Sequence, residues 1–273
     1  MRCMAKTNGP VASRRAPHAA SLRGGAVLCC WLWAAALAEA QIPLGYYDAA
    51  QGKTGSELRQ ALHEIINDHV VIGYANATDA LRVLDQDPDN PANVVTIYSL
   101  TSIDKLNFGT PAGWNREHLW PNSYGLDSTE PAYSDLFNLR PELWGVNSAR
   151  GNKPYDVSDP LDSGYRAPAH QQAPETTRDS DSWEPPASVR GDIARALFYM
   201  DVRYEGDRAN ESDLVLTDDL TLVSSAAAYM GNLDTLLSWH LADPVDAAEI
   251  QRNDAVYYLY QGNRNPFVDH PEY

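Results

Sequence analysis

The sequence predicts an α+β, mainly helical single domain. Three observations carry the prediction: apolar residues recur at helical spacing toward both ends of the chain, one β-branched run reads as a strand, and a hairpin leads into a short helix near the middle. With 273 residues, 44% of them hydrophobic, the chain can bury one substantial core, and it has no internal repeat or second domain boundary.

Residues 1–40 read as a secretory signal peptide. Arg14, Arg15 and Arg23 precede the apolar run "GGAVLCCWLWAAALA", and small residues follow, so cleavage is expected before Gln41. The run is shorter than the roughly 20 residues a spanning helix needs, so the mature form is expected to have no membrane anchor and to be secreted or periplasmic. All three cysteines lie in this leader, which excludes disulfides and cysteine-bound zinc from the mature chain.

The mature chain, residues 41–273, begins with a helix marked by Leu58, Leu62, Ile65 and Ile66 after a Thr54/Ser56 start. His63 and His69 fall on it or at its end and read as structural or solvated. "DQDPDNPANVVTIYSL" places a proline-broken acidic turn before a strand over Val94–Tyr98. Asp85, Asp87 and Asp89 alternate as in a calcium loop but lack its glycine and terminal glutamate, so they read as a turn. Residues 157–190, rich in proline, serine and acids without periodicity, predict a long surface loop. Two helices close the chain. One has Ile193, Leu197 and Phe198 inward; the other is capped by Asp243 with Pro244 in its first turn. Tyr199, Tyr204, Tyr257, Tyr258 and Tyr260 read as core.

The chemistry concentrates between residues 114 and 156. "WNREHLWPNS" sets Arg116, Glu117 and His118 side by side. Neighbours in a strand face opposite ways, so a shared site requires a twist or bulge, or one residue acting at the edge. A histidine near its ordinary pKa is mostly neutral at pH 7 and can take a proton from water; it is equally at home buried and hydrogen-bonded. After Pro141, read as a first helical residue, "ELWGVNSARG" predicts a short helix that shows Asn147 and Arg150 on one face and ends at Gly151. An amide oxygen suits a hard cation such as magnesium, and a guanidinium forks onto phosphate. Capping and a surface ion pair are the ordinary alternatives for those two residues. Together the parts match metal-assisted phosphodiester hydrolysis.

"WNREHLWPNS", "SDLFNLRP", "VNSARGNKPYD", "RGDIARALFYM", "WHLADPVD" and "QGNRNPFVDHPEY" resemble the bacterial endonuclease I family of secreted or periplasmic nucleases, over about Gly45 to Tyr273. The resemblance implies a ββα-metal (His-Me) finger core. It further implies His118 as general base, Glu117 and Asn147 as ligands of one Mg2+ (Mn2+ or Ca2+ substituting), and Arg150 or Arg140 supporting the scissile phosphate. Arg116 and Asn152 are expected to bind nucleic acid. Many members carry a histidine where this chain has Phe137, a departure read as a subgroup feature.

The expected activity is a largely sequence-nonspecific endonuclease acting on DNA, with RNA as a second substrate, leaving 5′-phosphate ends. The expected assembly is a monomer. Two alternatives stand beside it: a metal-dependent phosphodiesterase for smaller esters, and a non-catalytic exported nucleic-acid-binding protein. Removing residues 1–40, which hold five of the 21 basic and one of the 37 acidic residues, leaves 16 basic against 36 acidic, a formal charge of −20. Contact with a polyanion must therefore rest on a local basic patch.

Overall fold

A helix buried almost all round, α4 (Arg190–Arg203), runs through the centre of the fold, with Ile193, Leu197, Tyr199 and Met200 fully enclosed. The computed structural model describes residues 40–224 and 227–273; the leader expectation and the three cysteines lie outside the described residues. Among the described residues the architecture is a mixed α+β single domain of seven α-helices and four two-stranded sheets. No described helix is long and apolar enough to cross a membrane.

α1 (Gly55–Ile66) forms where expected, burying Leu62 and Ile66 against α4. A second helix, α2 (Tyr74–Leu84), follows that the sequence reading did not assign. The expected strand over Val94–Tyr98 is shorter. β1 (Asn93–Val95) pairs antiparallel with β2 (Ser102–Asp104), and the chain leaves the ladder between them. There the Ile97 amide donates to the Pro141 carbonyl at 3.0 Å and Tyr98 turns inward.

The central hairpin pairs β3 (Trp114–His118) with β4 (Leu139–Leu143) in an unbroken antiparallel register, Trp114 opposite Leu143 and His118 opposite Leu139. Pro141 lies inside β4, opposite Arg116. It therefore does not open the helix that follows: α3 spans Trp144–Arg150, and the Trp144 amide donates to the Gly113 carbonyl. A proline is tolerated there because its nitrogen faces away from β3, where the ladder needs no amide, and its carbonyl on the same side accepts the Ile97 amide. Gly151 ends α3 at φ +62°. A side chain there would meet nothing within 4 Å, so the glycine serves the backbone turn rather than a tight fit.

Residues 157–190 are not the loose surface loop that the composition suggests. Arg166 and Arg178 exchange backbone hydrogen bonds at 2.8 and 3.1 Å, β5 (Thr177–Arg178) pairs with β6 (Trp183–Glu184), and Trp183 is fully buried. After the parallel pair β7 (Val215–Leu216) and β8 (Tyr229–Met230) comes α5 (Leu233–Ala242), a helix the sequence reading also missed. The last long helix, α6 (Ala247–Ala255), is capped by Asp246 rather than Asp243. The Asp246 carboxylate accepts from Ala248 and Glu249 amides while the Glu249 side chain reaches back, a reciprocal capping box. Asp243 ends α5 instead and accepts the Gly191 amide. A π-helical turn, Val256–Gln261, and the short α7 (Pro266–Asp269) complete the chain. Tyr199 and Tyr204 are core as expected, whereas Tyr258 is 53% exposed.

Candidate active site

β3, β4 and α3 together frame a hollow of about 420 Å3 whose lining includes Arg116, Glu117, His118, Asn147, Arg150 and Asn152. Six of the seven residues singled out from the sequence thus meet in one place. The register of β3 is regular, so no bulge brings Glu117 and His118 together; they leave opposite faces of the strand and both reach the hollow at its end. A larger hollow, about 660 Å3, lies between α1, α4 and α5. It is lined mainly by Leu58, Leu62, Phe198 and Leu237, and its Arg59 and Asp201 are paired with each other, so it offers no hydrolytic set.

His118 is 8% exposed, its ring stacked on Tyr74 at 5.6 Å and tilted against Tyr133 at 4.8 Å. Its Nε2 lies 2.9 Å from the Tyr133 carbonyl. A carbonyl can only accept, so Nε2 carries the proton and Nδ1 keeps a bare lone pair. Burial lowers the imidazole pKa to about 4, with Arg116 and Arg150 pushing the same way, so the ring is neutral at physiological pH.

Glu117 is 2% exposed. Its Oε1 accepts from Arg150 Nη1 at 2.7 Å and the Tyr98 hydroxyl at 2.9 Å, and its Oε2 has no hydrogen-bond donor among the described residues. Burial pushes its pKa up, while Arg150 and the Tyr98 hydrogen bond oppose that. Asn147, on α3, donates from Nδ2 to Asn115 Oδ1 at 2.9 Å and to the Arg116 carbonyl at 3.2 Å. Those two bonds fix the amide orientation and leave Oδ1 free of protein donors among the described residues. One carboxylate oxygen and one amide oxygen are the donors available to a cation, since no cluster of three His, Cys, Asp or Glu occurs among the described residues. This sparse, all-oxygen set fits magnesium, which retains several waters and takes few protein ligands.

The arginines sit otherwise than expected. Arg150 is 1% exposed and donates to Glu117, to the carbonyls of His118 and Leu119 at 2.8 and 2.9 Å, and from Nε to the Lys153 carbonyl at 3.1 Å. Four of its five N–H donors are therefore spent within the protein. It clamps the end of β3 rather than offering a fork to phosphate. Arg140 does not reach the hollow: its Nε lies 3.1 Å from Asp85 and its Nη2 3.8 Å from Asp192. Arg116 is the accessible cation of the set. Its guanidinium lies 3.5 Å from the Tyr74 ring centroid, and among the described residues it gives one hydrogen bond, to the Tyr74 carbonyl.

Sequence reasoning missed Tyr74, Tyr98, Tyr133 and Tyr155, all of which hold the site from behind or beside it. Tyr155 lies in the run "VNSARGNKPYD" and the other three in none of the family motifs, but spacing gives none of them a role; the Tyr74 and Tyr133 rings packed on His118, and the phenols near Glu117, reveal them. Phe137 packs on Tyr199 at 4.5 Å, in the core and not in the hollow. Asn138 bonds both backbone groups of Trp120. His63 and His69 are structural: His63 bonds the Val202 carbonyl, and His69 accepts from Arg203.

The sequence model of the Endonuclease I family matches residues 54–272. The chain belongs to the Endonuclease I family. The extracellular ribonuclease of Bacillus subtilis (strain 168) is 44% identical over 230 residues, 84% of this chain and 76% of that protein. The extracellular ribonuclease of Bacillus amyloliquefaciens is 45% identical over the same length and shares. As an Endonuclease I member, this chain is a nuclease, a hydrolase acting on phosphodiester bonds.

Proposed function

We propose that the protein is an exported, magnesium-dependent endonuclease, largely indifferent to sequence, that cleaves RNA and DNA by water attack and leaves 5′-phosphates. The observation that carries this reading is the Tyr133 carbonyl on His118 Nε2, which leaves Nδ1 unprotonated on a residue that lines the same hollow as Glu117 and Asn147. His118 Nδ1 takes the proton from a water positioned for in-line attack on phosphorus. Glu117 Oε2 and Asn147 Oδ1 would hold a magnesium ion, which when bound supplies Lewis-acid stabilisation of charge on the phosphate and the departing 3′ oxygen. Arg116 takes the phosphate-supporting role expected of Arg150 or Arg140, because its donors are the ones left available, and exposed Asn152 flanks the same hollow.

Water, not a sugar hydroxyl, is the nucleophile in this scheme, so the 2′-OH is not chemically required and both nucleic acids are substrates. The relatives named extracellular ribonucleases favour RNA as the first substrate to test and support export. Gln41, the first residue of the expected mature chain, is tied down as a domain start would be: its amide donates to both Asp254 oxygens and its carbonyl accepts from Tyr258. The test is digestion of RNA and plasmid DNA with and without chelator, followed by end-group analysis. The expected result is metal-dependent cleavage to 5′-phosphate and 3′-hydroxyl ends from both. A 2′,3′-cyclic phosphate on the RNA products, or full activity in chelator, would overturn the mechanism.

A further inference from the structure

Behind the hollow, two phenols form a chain that ends on Glu117. The Tyr98 hydroxyl lies 2.9 Å from Glu117 Oε1 and 2.5 Å from the Tyr155 hydroxyl, and both rings are essentially unexposed. Each phenol has a single proton, and a carboxylate can only accept. Tyr98 therefore donates to Glu117, and Tyr155 must donate to Tyr98. All the donors run toward the carboxylate, and in a buried setting such aligned hydrogen bonds strengthen one another.

The chain is itself held rigidly. The Tyr98 amide donates to the buried Glu142 carboxylate at 2.5 Å, and its ring packs edge-on to Trp183 at 5.4 Å. Tyr155 lies under the Arg150 guanidinium, 4.6 Å from ring centroid to Cζ. Neither phenol lines the hollow. Tyr98 and Arg150 both engage Oε1, leaving Oε2 as the oxygen without a donor among the described residues.

From this geometry we infer that Tyr98, backed by Tyr155, is a positioning residue that pins one oxygen of Glu117 and so presents the other to the cation. The inference rests on the reading of Glu117 as a metal ligand. Without the Tyr98 hydroxyl, Oε1 keeps only Arg150, and the carboxylate is free to swing about that single bond. Partners that orient a ligand in this way commonly contribute about 10- to 100-fold in metal affinity.

The experiment titrates Mn2+ into purified wild type, Y98F, Y155F, Glu117→Gln and Y47F, reading bound ion by electron paramagnetic resonance and thermal stability in parallel. Tyr47 is a matched control, since its buried hydroxyl donates to the Asp269 carboxylate at 2.7 Å and it lies outside the hollow. The expected result is an affinity loss of about 10- to 100-fold in Y98F, a smaller loss in Y155F, and wild-type affinity in Y47F despite a comparable fall in melting temperature. Raising the metal concentration should restore most of kcat to Y98F. Wild-type affinity in Y98F overturns the inference. Should Y98F not fold, wild-type affinity in Y155F does so. If wild type binds no Mn2+, or Glu117→Gln binds as well as wild type, it is the reading of Glu117 that fails, and the tether falls with it.

Discussion

The proposed role of His118 sets two requirements that pull in opposite directions: a base must be reachable by water, and its tautomer must be fixed. The Tyr133 carbonyl fixes the tautomer, and the stacking rings of Tyr74 and Tyr133 hold the plane. His118→Ala should fold and bind metal but cleave slower by at least the roughly 10²–10⁴-fold typical of a general base, measured as initial rate at saturating magnesium. Near wild-type cleavage would remove His118 from the mechanism. The same burial has a pH signature. The folded pKa, about 4, lies below the ordinary 6.5, so the fold favours the neutral ring. That stability is fully present above pH 6.5 and is lost as pH falls through 4. Between those limits wild type should lose melting temperature relative to His118→Asn, which has no proton to gain; parallel curves would show the ring to be solvated.

Among the elements, the segment over residues 157–190 is the one whose composition misleads most. Its strands are two residues long, too short for alternation to register, and its single large buried side chain, Trp183, is one tryptophan in a polar stretch. Yet Trp183 packs on Tyr98 and joins the chain near Tyr155, its amide bonded to the Pro154 carbonyl at 2.8 Å. Trp183→Ala should therefore cost about 3–5 kcal/mol in urea unfolding, as for a core tryptophan. A change within about 0.5 kcal/mol, the ordinary result for a surface position, would return the segment to a loop. The hairpin itself was legible because its polar residues crowd together, but the helix start was displaced. Pro141 is equally favourable at a first helical turn and at a strand position whose amide is not needed, and only the pairing with Arg116 decides between them.

For the molecule as a whole, a formal charge of −20 over residues 41–273, the expected mature chain, sets the terms of encounter with a polyanion. The one accessible arginine of the hollow is Arg116, while Arg140 and Arg150 are committed to carboxylates and carbonyls. Few phosphates are then neutralised, so few counterions are released, and added salt mainly screens repulsion. Initial rates at fixed free magnesium should hold or rise with sodium chloride to several tenths molar. A steep fall from the lowest salt, with a log–log slope that implies many phosphate contacts, would show that the acidic surface lies too far away to matter.

The sequence by itself determined the α+β class, the Endonuclease I motifs and the clustering of Arg116, Glu117, His118, Asn147 and Asn152, because these depend on residues close in the chain. Local spacing shows which groups share a strand end or a helix face. Which donors are already spent was decided only by the tertiary structure. Arg140 and Arg150 look alike in sequence, but Asp85, 55 positions before Arg140, holds the one as an ion pair, and carbonyls more than 30 positions before Arg150 take hydrogen bonds from the other. Tyr98 and Tyr155 stand 57 residues apart and meet behind Glu117 only because the hairpin, the bend after β1 and the chain after α3 converge there. A hydrogen bond depends on distance in space and on the number of protons each group has to give, and neither is written in local spacing.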